Sequence, residues 1–467
     1  MRKLRIVLSG RLLPCALLLF LLFAAGVFLA VRLPIALAPV AALERLFSLG
    51  VALSVMNAPL PSESKTARLF LLLLLPWLGA FFCLLLRPKQ AVLRPPAPPP
   101  FENGVSNAVA AISSSCCGMD GCFASSAEYF PTGRAFYERL LLDLQNAKRE
   151  ILLDYYILAK GKFFGSVLAI CEQKARAGLE VRLIYDDFGC AATLPRDFAK
   201  KLRAKEISAG VFHPMKPFRL GALNRRDHRK LAVIDGEIAY TGGVNLADEY
   251  IGEVVRFGHW KDVAVRVTGS PAAKFASLFG KSAPCTHKNG TIPCVAFADG
   301  TVSGVRAGEE IYLRLISSAS ESVEICTPYL APSERVLTAL KSAARAGVKV
   351  RVAIPHVPDK RSVFLVTRSY ARELEKSGVL VREYAAGFLH AKTLTADGKY
   401  AVVGSYNLDE RSLRIQAECG VFLESEKFAL EVKEDFSTVW ETGVPVPKAR
   451  AFERIITCIL RLLKPMI

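Results

Sequence analysis

Apolar positions change their pattern twice along this 467-residue chain. Residues 12–31 are uncharged and mostly apolar, and they follow a basic opening of Arg2, Lys3, Arg5 and Arg11. A second apolar run, 69–86, is closed by Arg87 and Lys89. Each run is long enough to cross a hydrocarbon core of about 30 Å. The pattern therefore predicts two transmembrane helices, at about 12–31 and 69–86, within a membrane region 1–92. The first run exceeds the apolar core of a cleaved leader, and a second span follows it, so it reads as an anchor. The segment between them, 32–68, is interrupted by Glu44, Arg45 and several prolines and predicts a loop or interfacial piece. Basic flanks at both ends place the two termini of the membrane region on the cytoplasmic side.

The pattern then becomes polar. Residues 93–128 form a linker that opens with the stiff run 94–100 (RPPAPPP) and continues through small residues with little predicted order. From 129 onward helical and strand periodicities alternate. A helix is expected at 133–148, a strand at 150–158, a helix at 165–177 stopped by Gly178, and a strand at 180–185. The same series returns as a strand at 322–326, a helix at 333–346 stopped by Gly347, and a strand at 349–354. The helix ends agree almost letter for letter, ARAGLEVR at 175–182 against ARAGVKVR at 344–351. Strands alternating with helices predict an α/β class: two duplicated domains, 129–300 and 301–467, with mostly parallel or mixed sheets flanked by helices.

Chemistry enters through a second repeat, at a constant offset of 162 residues. His228, Lys230, Asp235 and Gly236 fall on His390, Lys392, Asp397 and Gly398; Gly242, Asn245 and Leu246 fall on Gly404, Asn407 and Leu408. Both copies read H-x-K-x4-D. In a strand the histidine and the lysine two residues on point to the same face. A purely structural repeat needs neither residue, because Leu231, Val233 and Ile234 already supply a core. Facing halves would bring two histidines and two lysines into one cleft. Asn245 and Asn407 would add amide donors for phosphate oxygens. That set suits an in-line displacement at phosphorus, one histidine attacking and the other acting as acid and base. The lysines supply the positive charge, so no metal or cofactor is expected. Each histidine needs a partner on its other ring nitrogen. Asp262 and Glu418, each soon after its half's asparagine, are the candidates, with Glu418 expected to orient His390. Asp235 and Asp397 complete the signature. They sit at odd offset from their histidines and are expected to hold strand and turn.

Charge and cysteine narrow the picture only slightly. The net charge of +18 suits an anionic partner, nucleic acid or acidic lipid alike. The cluster Cys116, Cys117 and Cys122 lacks histidines or a second pair at zinc spacing. Cys285 and Cys294 could bridge only in an oxidising compartment.

With these motifs in hand, the sequence resembles the phospholipase D superfamily and, within it, the bacterial cardiolipin synthases. The resemblance rests on the two H-x-K-x4-D motifs and on longer strings: VRLIYDDFG at 181–189, HRKLAVIDG at 228–236, YTGGVNLADEY at 240–250, WKD at 260–262, TPY at 327–329, GFLHAK at 387–392 and GSYNLDERS at 404–412. It runs from about 129 to the C-terminus, and the two N-terminal spans fit it. The resemblance implies a multi-pass protein of the bacterial inner membrane with cytoplasmic catalytic domains. It implies phosphatidylglycerol and anionic lipids as partners rather than nucleic acid, and transfer of phosphatidyl through a phosphohistidine, with His228 as nucleophile and His390 as acid and base. Cardiolipin and glycerol are the implied products. A hydrolytic phospholipase D and a membrane-tethered nuclease use the same histidine chemistry and are the alternatives. The C-terminal stretch 454–463, apolar with interspersed basic residues, is expected either to lie in a membrane interface or to pack on its domain.

Overall fold

A computed structural model of the chain describes residues 38–58, 62–85, 106–115, 121–215, 224–281, 290–300 and 306–462. The first predicted span, 12–31, lies outside them. The second is broken. Helix Ser62–Leu74 ends at Leu75, and helix Pro76–Leu85 starts on a proline, which has no N–H to continue the ladder. Neither piece, at 13 and 10 residues, approaches the roughly 20 needed for a crossing. Among the described residues no helix is long and apolar enough to cross a membrane. The predicted loop 32–68 instead contains helix Ala38–Asn57. Val51, Val55, Leu72, Ala80 and Cys83 form a small core among the three helices. The linker also holds more order than expected, with helix Asn107–Ser115 ahead of the first strand.

The remainder is built on one sheet of fifteen strands in the order β17-β12-β11-β10-β14-β15-β16-β9-β1-β8-β6-β5-β2-β3-β4. In the first half these are β1 (Cys122–Phe130), β2 (Glu150–Tyr155), β3 (Glu180–Asp186), β4 (Ser208–Phe212), β5 (Lys230–Ile234), β6 (Ile238–Gly242) and β8 (Ala264–Gly269). Their counterparts are β9 (Ile292–Asp299), β10 (Ser322–Cys326), β11 (Lys349–Pro355), β12 (Leu380–Tyr384), β14 (Thr393–Ala396), β15 (Tyr400–Gly404) and β16 (Glu418–Glu424). β17 (Gly443–Pro445) is an added edge. The strand order is thus palindromic about the β9–β1 junction, where Cys122 pairs with Cys294. Their buried thiols lie 3.6 Å apart, so Cys294 faces Cys122; Cys285 lies outside the described residues. β9 pairs with β16 and stands to the second half as β1 does to the first, so that half opens at Ile292.

The sheet is mixed. Parallel pairing is confined to the outer trios β2-β3-β4 and β10-β11-β12, where helices such as Lys162–Arg176 and Glu334–Arg345 make the crossovers. The inner strands run antiparallel, and three-residue turns join β5 to β6 and β14 to β15. Those turns are Asp235-Gly236-Glu237 and Asp397-Gly398-Lys399, with φ of 57° and 68° at the first two positions of one and 52° and 62° in the other. Positive φ at both positions is what a tight right-twisted hairpin needs, and Asp-Gly tolerates it. Separate apolar clusters fill each half, one around Leu140, Leu153 and Phe163, the other around Ile311, Leu340 and Leu374. A third, including Val265, Phe275, Val421 and Phe436, draws on both halves. The C-terminal helix Ala451–Leu462 contacts helices Arg361–Glu375 and Ser62–Leu74, with Arg461 stacked 4.0 Å over Tyr370.

Candidate active site

Two short pairings between the halves build the site. A two-stranded parallel sheet joins β7 (His259–Lys261) to β13 (Gly387–Leu389), and an isolated bridge joins Asp227 to Ala417. The chain leaves each pairing in the same way. His390 N–H donates to Lys261 O at 2.7 Å, and His228 N–H donates to Ala417 O at 2.8 Å. Each histidine therefore sits opposite the residue that follows the carbonyl it binds, which is Asp262 in one case and Glu418 in the other.

The carboxylates consequently cross over. His390 Nδ1 lies 2.6 Å from Asp262 Oδ2, and His228 Nδ1 lies 2.9 and 3.0 Å from the two oxygens of Glu418. This corrects the expectation that Glu418 orients His390. A hairpin cannot bend its own carboxylate back to the histidine that opens it, whereas the partner half presents one across the cleft. Asp262 and Glu418 are fully buried. Asp262 Oδ1 also accepts from Val263 N–H at 2.8 Å, and Glu418 accepts from the hydroxyls of Ser405 and Ser412. Gly243 holds the place of Ser405 in the first half. A Cβ there would lie 2.0 Å from Asp262 Oδ1, so the shorter carboxylate is bound up with a glycine and the longer one with a serine.

Both histidines lie just before their strands, not inside them, and both lysines are buried beside them. Each lysine Nζ donates to the carbonyl of its own histidine, Lys230 to His228 and Lys392 to His390. Burial pushes Lys230 down to about 8 and Lys392 to about 7. Burial, then the neighbouring lysine, lowers His390 to about 4; burial, then Lys230 and Lys392, holds His228 well below its ordinary range. Glu418 is pushed up by burial, with Lys230 and the two serine hydroxyls pulling it back. The lowered proton affinity favours the neutral form of both imidazoles, and a carboxylate at each Nδ1 favours the Nδ1–H tautomer, which leaves Nε2 as a lone pair.

The two sides differ in their walls. The His390 ring lies 5.5 Å from Tyr250 and from Trp260 and 5.7 Å from Phe388. His228 has Tyr156 at 4.8 Å, with Lys230 over the same ring. Asn245 is fastened into the wall, its Oδ1 accepting from Ile157 N–H at 3.0 Å and its Nδ2 donating to Tyr250 Oη at 2.6 Å. Asn407 is buried, and its Oδ1 has no hydrogen-bond partner among the described residues.

Asp235 and Asp397 stand apart from this chemistry. Asp235 accepts the backbone N–H groups of Lys148, Arg149 and Glu150, and Asp397 those of Ser320, Glu321 and Ser322. Each carboxylate ties a hairpin turn to the start of a neighbouring strand. Sequence reasoning passed over Ser405, Ser412, Tyr156, Tyr250 and the buried pair Arg226–Asp186. Asp186 also accepts from Asp227 N–H at 3.0 Å and so fixes the residue before His228. The strings YDDFG and GSYNLDERS contain three of these, but no periodicity marks their contacts.

The family model described as cardiolipin synthase, phospholipase D-like domain matches twice, at 140–268 and 312–440. The chain belongs to this family. It is an enzyme of the phospholipase D superfamily. It is 36% identical over 361 residues to an uncharacterised protein of Streptococcus mutans, spanning 73% of this chain and 78% of that one. It is 34% identical over 332 residues to the cardiolipin synthase of Listeria innocua (67% and 68%) and 32% identical over 366 residues to that of Geobacillus kaustophilus (74% and 73%). Among solved structures, the fold matches the phosphatidylserine synthase of Haemophilus influenzae with a TM-score of 0.62 at 14% identity, over 77% of this chain and all of that one.

Proposed function

We propose that the enzyme transfers a phosphatidyl group from one phosphatidylglycerol to a second, giving cardiolipin and glycerol. The observation that carries this reading is the pair of carboxylate-oriented histidines, each beside a buried lysine. Nε2 of His228 attacks phosphorus, and the bond from phosphorus to the glycerol oxygen breaks. The leaving oxygen takes a proton from Nε2 of His390. The anionic phosphodiester itself raises His390 enough to carry that proton, since its charge offsets the two lysines that lower it. A hydroxyl of the second phosphatidylglycerol then returns a proton to His390 and attacks phosphorus, and the bond from phosphorus to His228 breaks. Phosphodiester bonds are conserved, so no nucleotide is consumed. Asp262 and Glu418 keep each imidazole in the Nδ1–H tautomer and stabilise it as it becomes positive.

We place the reaction at the surface of the bacterial cell membrane. The exposed apolar side chains of the N-terminal helices, among them Leu43, Leu46, Leu73 and Trp77, give the chain a lipid-facing surface, and the net charge of +18 favours anionic headgroups. Purified protein given phosphatidylglycerol vesicles should yield cardiolipin and free glycerol. Phosphatidic acid as the sole new lipid would replace transfer by hydrolysis. His228→Ala and His390→Ala should each abolish turnover, and near-normal activity of either would refute the two-histidine mechanism.

A further inference from the structure

The duplication that equates the two halves reverses a charge close to the cleft. At the offset of 162 residues Arg411 falls on Glu249. Glu249 is paired with Arg256 at 3.3 Å. Arg411 has no such partner. Its Nε is buried without a hydrogen bond, and among the described residues no ion pair joins it. Its backbone, in contrast, is fixed. Arg411 O accepts from Ile415 and Gln416 N–H, both at 3.0 Å. The next residue, Ser412, bonds Glu418 and also accepts from Asn407 N–H at 2.9 Å. Glu418 in turn holds His228. Arg411 is therefore anchored to the His228 side of the cleft, and its charge is among those that act on His228. The Asp409 carboxylate feels this charge without closing an ion pair, so the guanidinium keeps an idle donor that an anion can meet. The Oδ1 of Asn407, four residues before, is also buried without a hydrogen-bond partner among the described residues.

We propose that Arg411 is a further phosphate ligand of the cleft, confined to the His228 side, and that its guanidinium holds a non-bridging oxygen of the phosphoryl group while that group is bonded to His228. The proposal rests on the phosphatidyl-transfer reading for its substrate but not for its anion. A guanidinium presents two parallel donors to a phosphate, which an ammonium does not. A guanidinium is also a stronger base than an ammonium, and burial lowers the two lysines to about 7 and about 8. Arg411 thus gives the cleft an anion affinity that persists after Lys392 has lost its proton. On the His390 side, walled by aromatic rings, the equivalent position is Glu249, so the phosphoryl group is held more tightly on one histidine than a symmetric site would hold it.

The test uses the full-length protein in detergent and inorganic phosphate as the probe, titrated calorimetrically at pH 6.5 and 9 on the wild type, Arg411→Gln and Arg411→Lys. Arg411→Gln should weaken phosphate binding at least tenfold at pH 9 and less at pH 6.5, where the lysines are charged. Arg411→Lys should recover part of the loss at pH 6.5. On phosphatidylglycerol, kcat should fall more than KM rises. An unchanged melting midpoint separates these effects from misfolding, and if Arg411→Gln melts early the comparison is made on Arg411→Lys. Wild-type phosphate affinity in Arg411→Gln at both pH values overturns the proposal, whatever lipid product forms. Lost phosphate affinity together with no cardiolipin from the wild type leaves Arg411 a phosphate ligand and removes only the transfer reading.

Discussion

Lys392 is expected to weaken the fold that it serves, and replacing it by methionine should show this. The side chain is completely buried, and its ammonium is lowered from the ordinary 10.5 to about 7 by burial, Asp262 and Lys230 acting in opposite directions after it. At 1.36 kcal/mol per pH unit, that drop corresponds to about 5 kcal/mol lost on folding at pH 7 or below. Methionine fills a similar volume without the charge. It leaves His390 O without its donor, which takes back about 2 kcal/mol. The expected net gain is about 2 to 3 kcal/mol, or a melting midpoint raised by about 3 °C.

The sign follows from proton counts. Between about pH 7 and 10.5 the unfolded chain keeps the lysine proton and the folded chain does not, so wild-type stability rises with pH in that window. Lys392→Met lacks this contribution. Its advantage over the wild type should be full at pH 6.5, vanish near about pH 9 and reverse by about 1 kcal/mol at pH 10, where only the lost donor remains. Differential scanning calorimetry of both proteins across that range measures it. Turnover should meanwhile fall by about 10²–10³-fold, the usual loss of one preorganised donor to a developing oxyanion. A lower midpoint for the variant at neutral pH, or an advantage that does not change with pH, would refute the claim that this ammonium is held at the expense of stability.

Three further outcomes follow from the site. Gly243→Ser should displace Asp262, since the added Cβ would lie 2.0 Å from its Oδ1, and should abolish turnover; Ser405→Gly removes one of three donors from Glu418 and should cost only about tenfold, so equal effects in a kinetic comparison would contradict the asymmetry. Asp397→Asn, which keeps the left-handed turn but weakens its grip on three backbone N–H groups, should lower stability by about 1–2 kcal/mol in urea melts and leave kcat nearly unchanged. The lysines are charged below their pKa values, so kcat/KM should hold on the acid side and fall as pH rises through about 7 to 8; a profile flat to pH 10 would mean that their charge is not used.

Much of this was legible in the chain because duplication writes the same chemistry twice. The 162-residue offset pairs His228 with His390 and Lys230 with Lys392, and the structure brings these residues to one cleft. The turn role of Asp235 and Asp397 follows from strand parity, which puts them on the face opposite the lysines. The second apolar run misled because hydropathy averages over Pro76, and a single missing N–H divides the helix. Of the mostly parallel or mixed sheets expected, the mixed form is found: the α/β rhythm holds for the outer trios, and three-residue hairpins make the inner strands antiparallel. Ser405 and Ser412 carried no periodic signal, as a hydroxyl near a carboxylate is a matter of tertiary distance.

The crossing of the carboxylates has a different cause, and it bears on why the site needs both halves. Local sequence places Glu418 eleven residues after Asn407 and Asp262 seventeen after Asn245, which suggests self-contained halves. The partner of each histidine is decided instead by β7 against β13 and Asp227 against Ala417, pairings between residues more than 120 positions apart. A single half folded alone would present a histidine and a lysine with no acceptor for Nδ1–H, and its imidazole would lose the tautomer that frees Nε2. The same pairings fix how far apart the two Nε2 atoms stand, since each histidine is bonded through its backbone to the other half. Orientation and spacing therefore come from one set of hydrogen bonds, and a change that loosens the β7–β13 pairing should disturb the His390 tautomer and the in-line geometry together.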